Sequence, residues 1–239
     1  MVGKLKSALK SPVSPLALKA TFLAIAIFWL RTGDFSFLKL LFFGALFLFL
    51  YLRPALGATK FAISALVLGV VIIFAPQVGE LIGFYVNLTL SILGFLLLGI
   101  KNLIFVRRQN LYYLMHLVLM VGLASLFSLG IIPPILFFIL VFSIFREFYI
   151  VMTPEKPELL SLVATLEGML VMQVAWATSF FPTSFLVSAA VLVLLTFLFH
   201  DTLLYYFKHA FSRYVALRSV AIFIVIASLI LILPVWGFK

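Results

Sequence analysis

A few ionisable residues of this sequence lie inside otherwise apolar stretches, and these residue types could support acid–base chemistry. Glu167 lies about eight residues into an apolar stretch that begins near residue 159, or about 12 Å deep in a helix. A carboxylate in such surroundings must be paired, protonated or reached by water, because an isolated buried charge is very costly. Glu167 therefore indicates either a functional site or a polar pin between two helices.

Arg146 and Glu147 lie near the end of the preceding apolar stretch. If that helix continues to Met152, Arg146 lies about six residues, or 9 Å, from its end. The next helix should pack antiparallel after a short loop, which would bring Arg146 and Glu167 to a similar height. We therefore predict an Arg146–Glu167 ion pair, bidentate where the geometry allows. If the helix instead ends at Phe145, Arg146 is an ordinary cation at the helix end.

His116 lies about five residues into an earlier apolar stretch, at a comparable depth. Together, His116, Arg146, Glu147 and Glu167 would form a proton relay or a polar cavity, because histidine exchanges protons near neutral pH. The alternative for His116 is a single hydrogen bond to a neighbouring helix. The chain has no cysteine, which excludes thiolate catalysis and cysteine-ligated metals. We predict no metal site and no cofactor.

The composition identifies the surroundings of these residues. Of the 239 residues, 66% are hydrophobic and only 10% are charged, whereas a soluble domain carries about 25% charged residues. So few charges cannot cover a surface that faces water, so lipid must surround most of the chain. We predict one integral membrane domain over residues 1–239, an all-α polytopic transmembrane bundle built from helical hairpins with short outer turns.

Apolar stretches bounded by turn residues predict about nine membrane-spanning helices, since a span needs roughly 20 apolar residues. No cleavage site follows the first stretch, so we expect the first span to be retained. A separate interfacial helix is predicted at about 201–217, and the alternative is that the eighth span simply continues past the membrane. The predicted spans are 15–30, 35–52, 61–75, 81–100, 111–131, 133–152, 159–181, 184–199 and 219–236.

The positive charges predict the orientation of the helices. With a cytoplasmic N-terminus, 14 of the 17 lysines and arginines lie inside and only Arg31, Lys39 and Lys239 lie outside. Such a bias is the positive-inside pattern of membrane proteins. The net charge of +10 therefore indicates contact with anionic lipids of the inner leaflet, and no nucleic-acid-binding pattern is present. The predicted headgroup contacts are Lys208, Arg213, Arg218, Arg107 and Arg108.

These patterns favour a small transporter-like bundle of unknown substrate, with a polar site that faces the cytoplasm. A structural or assembly subunit of a larger complex, with membrane-protein partners, is the first alternative. A membrane-embedded enzyme that acts on a lipid or a lipid-linked phosphate is the second. Compact loops and the absence of cysteine favour a prokaryotic plasma membrane.

Overall fold

A computed structural model of the protein describes residues 13–32, 36–53, 61–75, 80–102, 108–180 and 184–232. Over these residues the chain is 88% helix and contains no strand. The helices of the described part are α1 (Val13–Arg31), α2 (Phe37–Leu52), α3 (Ala62–Phe74), α4 (Glu80–Lys101), α5 (Arg108–Ser128), α6 (Pro134–Met152), α7 (Pro157–Thr178), α8 (Phe185–Phe207) and α9 (Arg213–Ile232).

Six of these helices, α1 and α4 to α8, are long and apolar enough to cross a membrane, while α2 and α3 are shorter apolar helices. The 13 residues of α3 span only about 20 Å, less than the roughly 30 Å of a hydrocarbon core. The prediction of an all-helical protein with several helices suited to a membrane is confirmed. The count of nine spans, the cytoplasmic N-terminus and the single domain stay predictions.

Residues 1–115 form one compact unit, in which α1 packs closely against α4. Leu23 and Ile27 of α1 and Leu97 of α4 are buried. Gly94 allows the close approach, because a Cβ atom on this residue would lie 2.5 Å from Cδ2 of Leu23. Unit 1 is thus held together by an apolar seam with a small residue where the two helices meet.

A polar contact joins three helices of unit 1. The Arg31 side chain at the end of α1 donates from Nε to Oδ1 of Asn87 at 2.5 Å. Its Nη1 donates to the carbonyl oxygens of Ala75 at 2.9 Å and Ile72 at 3.3 Å. These carbonyls end α3, where the helix dipole favours a positive charge. Arg31 therefore caps α3 while binding α4, and Asn87 links α4 to α1.

Residues 116–239 form the second compact unit. Pro134 begins α6, where proline's missing N–H costs no helix hydrogen bond. Helix α7 then packs along α6. A Cβ atom on Gly168 would lie 3.5 Å from the Phe138 ring and 3.6 Å from the Phe142 backbone, so this glycine lies at a close approach of the two helices. Ala164 and Ala175 are buried on the same helix, so small residues form part of the packing surface of α7.

Residues 201–217 do not form one separate helix, because the helix of the predicted eighth span continues to Phe207 and a new helix begins at Arg213. Helix α8 runs unbroken through His200 to Phe207. His209 then adopts a left-handed conformation (φ 52°), its N–H binds the Tyr206 carbonyl, and the Ala210 N–H binds the Tyr205 carbonyl. These two bonds form the Schellman motif that ends many helices. The amphipathic pattern therefore belongs partly to α8 and partly to the first turn of α9.

Candidate functional site

Four buried side chains form a continuous hydrogen-bonded chain inside the second unit. Tyr149 Oη donates to Oε2 of Glu167 at 2.6 Å. Glu167 Oε1 lies 2.6 Å from Nδ1 of His200, and His200 Nε2 lies 2.9 Å from Nε2 of His116. The four side chains are at most 3% exposed. We call Tyr149, Glu167, His200 and His116 the buried relay.

Each member of the buried relay comes from a different helix. His116 lies on α5, Tyr149 on α6, Glu167 on α7 and His200 on α8. The α6–α7 hairpin holds Tyr149 and Glu167 together through the close approach at Gly168, and α8 packs against α7 on the other side. The relay therefore depends on the correct packing of four consecutive helices.

Aromatic rings of α6 enclose the two histidines. The Phe148 ring centroid lies 4.1 Å from that of His200 and 4.6 Å from that of His116. The Phe145 ring lies 4.8 Å from His200 in an edge-on arrangement. These rings exclude water from the imidazoles and offer faces that stabilise a positively charged ring.

The hydrogen-bond geometry limits where the protons lie. An ionised Glu167 accepts from Tyr149 and from an N–H at Nδ1 of His200. Neutral His200 then has a bare Nε2, which accepts a hydrogen bond from Nε2–H of His116. Each of the three contacts then has one donor and one acceptor, but the relay carries one net negative charge.

One additional proton makes the buried relay neutral overall. If His200 takes it, the ring donates from Nδ1 to Glu167 and from Nε2 to His116, and a charge-assisted bond forms to the carboxylate. The same proton fits on His116, which then donates to His200. The additional proton therefore has more than one position along the chain of hydrogen bonds.

The predicted Arg146–Glu167 ion pair is wrong. Both carboxylate oxygens of Glu167 bind Tyr149 and His200, while Arg146 is exposed and its Nε donates to Oγ of Ser161 at 2.9 Å. Helix α7 begins two residues earlier than predicted, so Glu167 lies ten residues, or about 15 Å, from its start. The helix register therefore places Arg146 against Ser161, about 9 Å along α7 from Glu167.

The structure brings two of the four predicted site residues together. His116 and Glu167 are both members of the buried relay, joined through His200. Glu147 is buried at 9% exposure on α6, but it lies two residues before Tyr149, and residues two apart do not share a helix face. The helix does continue through Arg146 and Glu147 to Met152, as the longer of the two interpretations predicted.

Sequence reasoning missed Tyr149 and His200 as site residues. His200 was placed at the end of the eighth span, whereas α8 continues for seven more residues. Had the span been drawn to Phe207, His200 would have been an ionisable residue within an apolar helix, at a depth like that of His116. Tyr149 gave no such signal, because a tyrosine near a helix end is typical of the membrane interface.

The predicted headgroup contacts lie in different settings. Lys208 and Arg213 are exposed at the turn between α8 and α9. Arg218 binds Asp201, with Nη2 3.0 Å from Oδ2, and lies over the Tyr205 ring. Arg107 and the side chain of Arg108 lie outside the described residues.

Among the described side chains, no group of three histidines, aspartates or glutamates is arranged to hold a metal ion. The sequence matches no protein-family model, no curated protein and no solved structure. The chemistry of the site therefore has to be argued from its own geometry.

Proposed function

We propose that this chain is a multi-pass membrane protein that couples proton movement to the transport of a small solute. Glu167, His200 and His116 are the groups that carry the proton. The observation that supports the proposal is the buried relay itself, with 2.6 Å, 2.6 Å and 2.9 Å between successive partners. Apolar packing would serve stability at least as well as buried ionisable groups, so such groups inside apolar helices favour a function.

The proton step is a pair of transfers along existing hydrogen bonds. The step starts from a doubly protonated His116, a neutral His200 and an ionised Glu167. The proton on Nε2 of His116 moves to Nε2 of His200, and the proton on Nδ1 of His200 moves to Oε1 of Glu167. His116 ends neutral, His200 ends neutral with its proton on Nε2, and Glu167 becomes a neutral acid that still accepts from Tyr149. No atom moves by more than a bond length, which suits rapid transfer.

The orientation proposed for the chain places this step in the cytoplasmic half of a prokaryotic plasma membrane. His116 lies eight residues from the start of α5 and His200 lies seven from the end of α8, so both are roughly 10–12 Å from the helix ends. With the N-terminus inside, both ends face the cytoplasm. A site at this depth suits proton release toward, or uptake from, the cytoplasm.

Complete burial of the relay favours one alternative function, a structural subunit in which the relay pins four helices together. The two functions differ in what they need from Glu167. A structural link between helices needs only hydrogen-bonding atoms at this position. Glutamine supplies them, because a change in the tautomer of His200 lets the amide bind both Tyr149 and His200. A proton carrier needs a group that can ionise, which glutamine is not.

The test is proton flux in proteoliposomes that contain the full chain and an internal pH-sensitive dye. Flux is measured under an imposed pH gradient, first without solute and then with a panel of amino acids, organic anions, organic cations and sugars. Glu167→Gln is expected to abolish protein-dependent flux while the helical content and thermal stability stay near wild type.

Thr196→Val is the matched control. Thr196 is fully buried one turn before His200 on α8, and among the described residues its hydroxyl binds the carbonyl of Leu192 in the same helix rather than a member of the relay. This variant should keep wild-type flux. If Glu167→Gln conducts like the wild type with every solute, or if no condition gives protein-dependent flux, the structural function replaces the proposal.

A further inference from the structure

Three cationic side chains gather at one end of unit 1. The Lys19 ammonium donates to the carbonyl oxygen of Arg53, and the Lys101 ammonium donates to the carbonyl oxygen of Tyr51. These carbonyls lie two residues apart at the C-terminal end of α2. Lys19 is the seventh residue of α1 and Lys101 is the last residue of α4, so the first half of one helix meets the last residues of two others here. We call Lys19, Arg53 and Lys101 the cationic cluster.

The cationic cluster has a large charge imbalance. Before residue 116 the sequence contains only two acids, Asp34 and Glu80. Asp34 falls in the sequence between α1 and α2, and Glu80 begins α4, the helix that Lys101 ends. The end of α2 contributes about half a negative charge. Among the described side chains of this unit no carboxylate pairs with the cluster, so roughly two and a half positive charges are not neutralised by them.

Burial raises the free-energy cost of the excess positive charge at Lys101, because this residue is only 5% exposed. Its ammonium lies 4.1 Å from the centre of the Tyr51 ring, and the Tyr51 carbonyl takes one of its three donors. A buried ammonium that no anion neutralises is strongly unfavourable. The exposed Arg53 guanidinium, which lies 4.9 Å from the centre of the Phe49 ring, has the planar fork of donors that matches phosphate oxygens.

We infer that the cationic cluster is a binding site for a phosphate-bearing anion, supplied either by a lipid headgroup or by free phosphate. The ammonium groups of Lys19 and Lys101 hold the anion from two helices, and Arg53 binds it from the end of a third. An anion here would neutralise most of the excess charge and lock the ends of α1, α2 and α4 together. This inference does not depend on the buried relay or on the proposed transport.

The other end of α2 supplies a matched control. Lys39 donates to the Thr32 carbonyl at 2.8 Å and lies 5.8 Å from the Trp29 ring. Like Lys101, it is thus a lysine that caps a neighbouring carbonyl and contacts an aromatic ring. Lys39 is the third residue of α2, at the end opposite Tyr51 and Arg53, so it is not part of the cationic cluster.

The experiment measures anion binding by the full chain in nanodiscs. In one arm, the discs contain phosphatidylcholine with increasing phosphatidylglycerol. In the other, inorganic phosphate is titrated into discs of phosphatidylcholine alone. The readout is the rise in unfolding temperature with added anion. Lys19→Gln and Lys101→Gln are each expected to weaken the apparent affinity about 5-fold, from roughly 1 kcal/mol per basic side chain near an anionic surface, whereas Lys39→Gln keeps wild-type affinity.

The two arms identify the source of the anion. Stabilisation only by phosphatidylglycerol assigns a lipid headgroup, and stabilisation by inorganic phosphate assigns a soluble phosphate. Lys19 is partly exposed, so Lys19→Gln is expected to fold even if Lys101→Gln does not. The inference is overturned if neither anion stabilises the wild type, or if Lys19→Gln and Lys39→Gln lower the affinity equally.

Discussion

His116 and His200 face each other through their Nε2 atoms at 2.9 Å, and both side chains are fully buried. Only one of the two Nε2 atoms can carry the proton between them. The tautomer of one ring therefore determines the tautomer of the other, and through Nδ1 of His200 it is linked to the charge on Glu167. This contact turns two separate intramembrane residues into one coupled site.

The first prediction concerns hydrogen exchange of the histidine rings. The chain has three histidines, and His209 is exposed, so it serves as an internal reference. In protein labelled with ¹⁵N-histidine, His116 and His200 should show ring protons that exchange slowly with water, while those of His209 exchange rapidly. His116→Phe should remove one slow signal and change the chemical shift of the other. Rapid exchange at all three rings would contradict the enclosed relay.

The second prediction separates hydrogen bonding from charge at Glu167. Glu167→Leu leaves the Tyr149 hydroxyl and the His200 Nδ1–H without their acceptor. Each stranded group should cost about 1–3 kcal/mol, measured as a loss of stability in thermal or denaturant unfolding. Glu167→Gln should lose much less. Equal losses in the two variants would show that the carboxylate charge, rather than its hydrogen bonds, stabilises the four helices.

The third prediction concerns the close approach of α6 and α7. Gly168→Ala adds a methyl group at ordinary contact distances of 3.5–3.7 Å from Phe138 and Phe142, so it should change the stability little. Gly168→Leu has no such space and must push the helices apart, at about 1–3 kcal/mol. Because Glu167 is the adjacent residue, Gly168→Leu should also speed hydrogen exchange at His200. Unchanged exchange would mean that the hairpin does not position the relay.

The fourth prediction concerns the exposed ion pair between Arg218 and Asp201. The side chains are 38% and 27% exposed, so water screens the pair and its contribution to stability should be small. A double-mutant cycle with Arg218→Gln and Asp201→Asn should give a small coupling energy that shrinks as salt is added. A larger coupling that persists in high salt would assign the pair a role in holding α9 against α8.

The fifth prediction tests the orientation of the helices. Since the chain has no cysteine, each introduced cysteine is the only reactive thiol. Glu155→Cys, in the turn between α6 and α7, should react with a membrane-impermeant maleimide from the cytoplasmic side. Ile131→Cys, in the exposed turn between α5 and α6, should react from the opposite side. The reverse labelling pattern would invert the proposed topology.

The helices themselves were largely predictable. Apolar runs interrupted by proline, glycine and charged residues gave the first eight helices, with most ends within three residues of their final positions. The main error lay after His200, where a helix end depends on a Schellman motif at Tyr205, Tyr206, His209 and Ala210. Histidine in a left-handed conformation has no strong signature in a sequence, unlike the glycine that more often occupies that position.

Part of the site was also predictable, since Glu167 and His116 stand out as ionisable residues within apolar helices. The partner of Glu167 was not. Arg146 looked suitable because opposite charges were expected at equal height, but a two-residue shift in the start of α7 changes the height by about 3 Å. Packing at Gly168 then sets the helix register that brings Glu167 into contact with Tyr149 and His200.

The amino-acid sequence by itself determined that most of this chain is too apolar to face water, which segments are helical and which ionisable residues lie among apolar neighbours. These properties depend on composition and local periodicity, which any short window of residues carries. Tertiary structure alone decided that Tyr149, Glu167, His200 and His116 form one chain, because they come from four helices separated by up to 84 residues. Contacts over such separations depend on helix register and on close packing, and neither is encoded in any one helix.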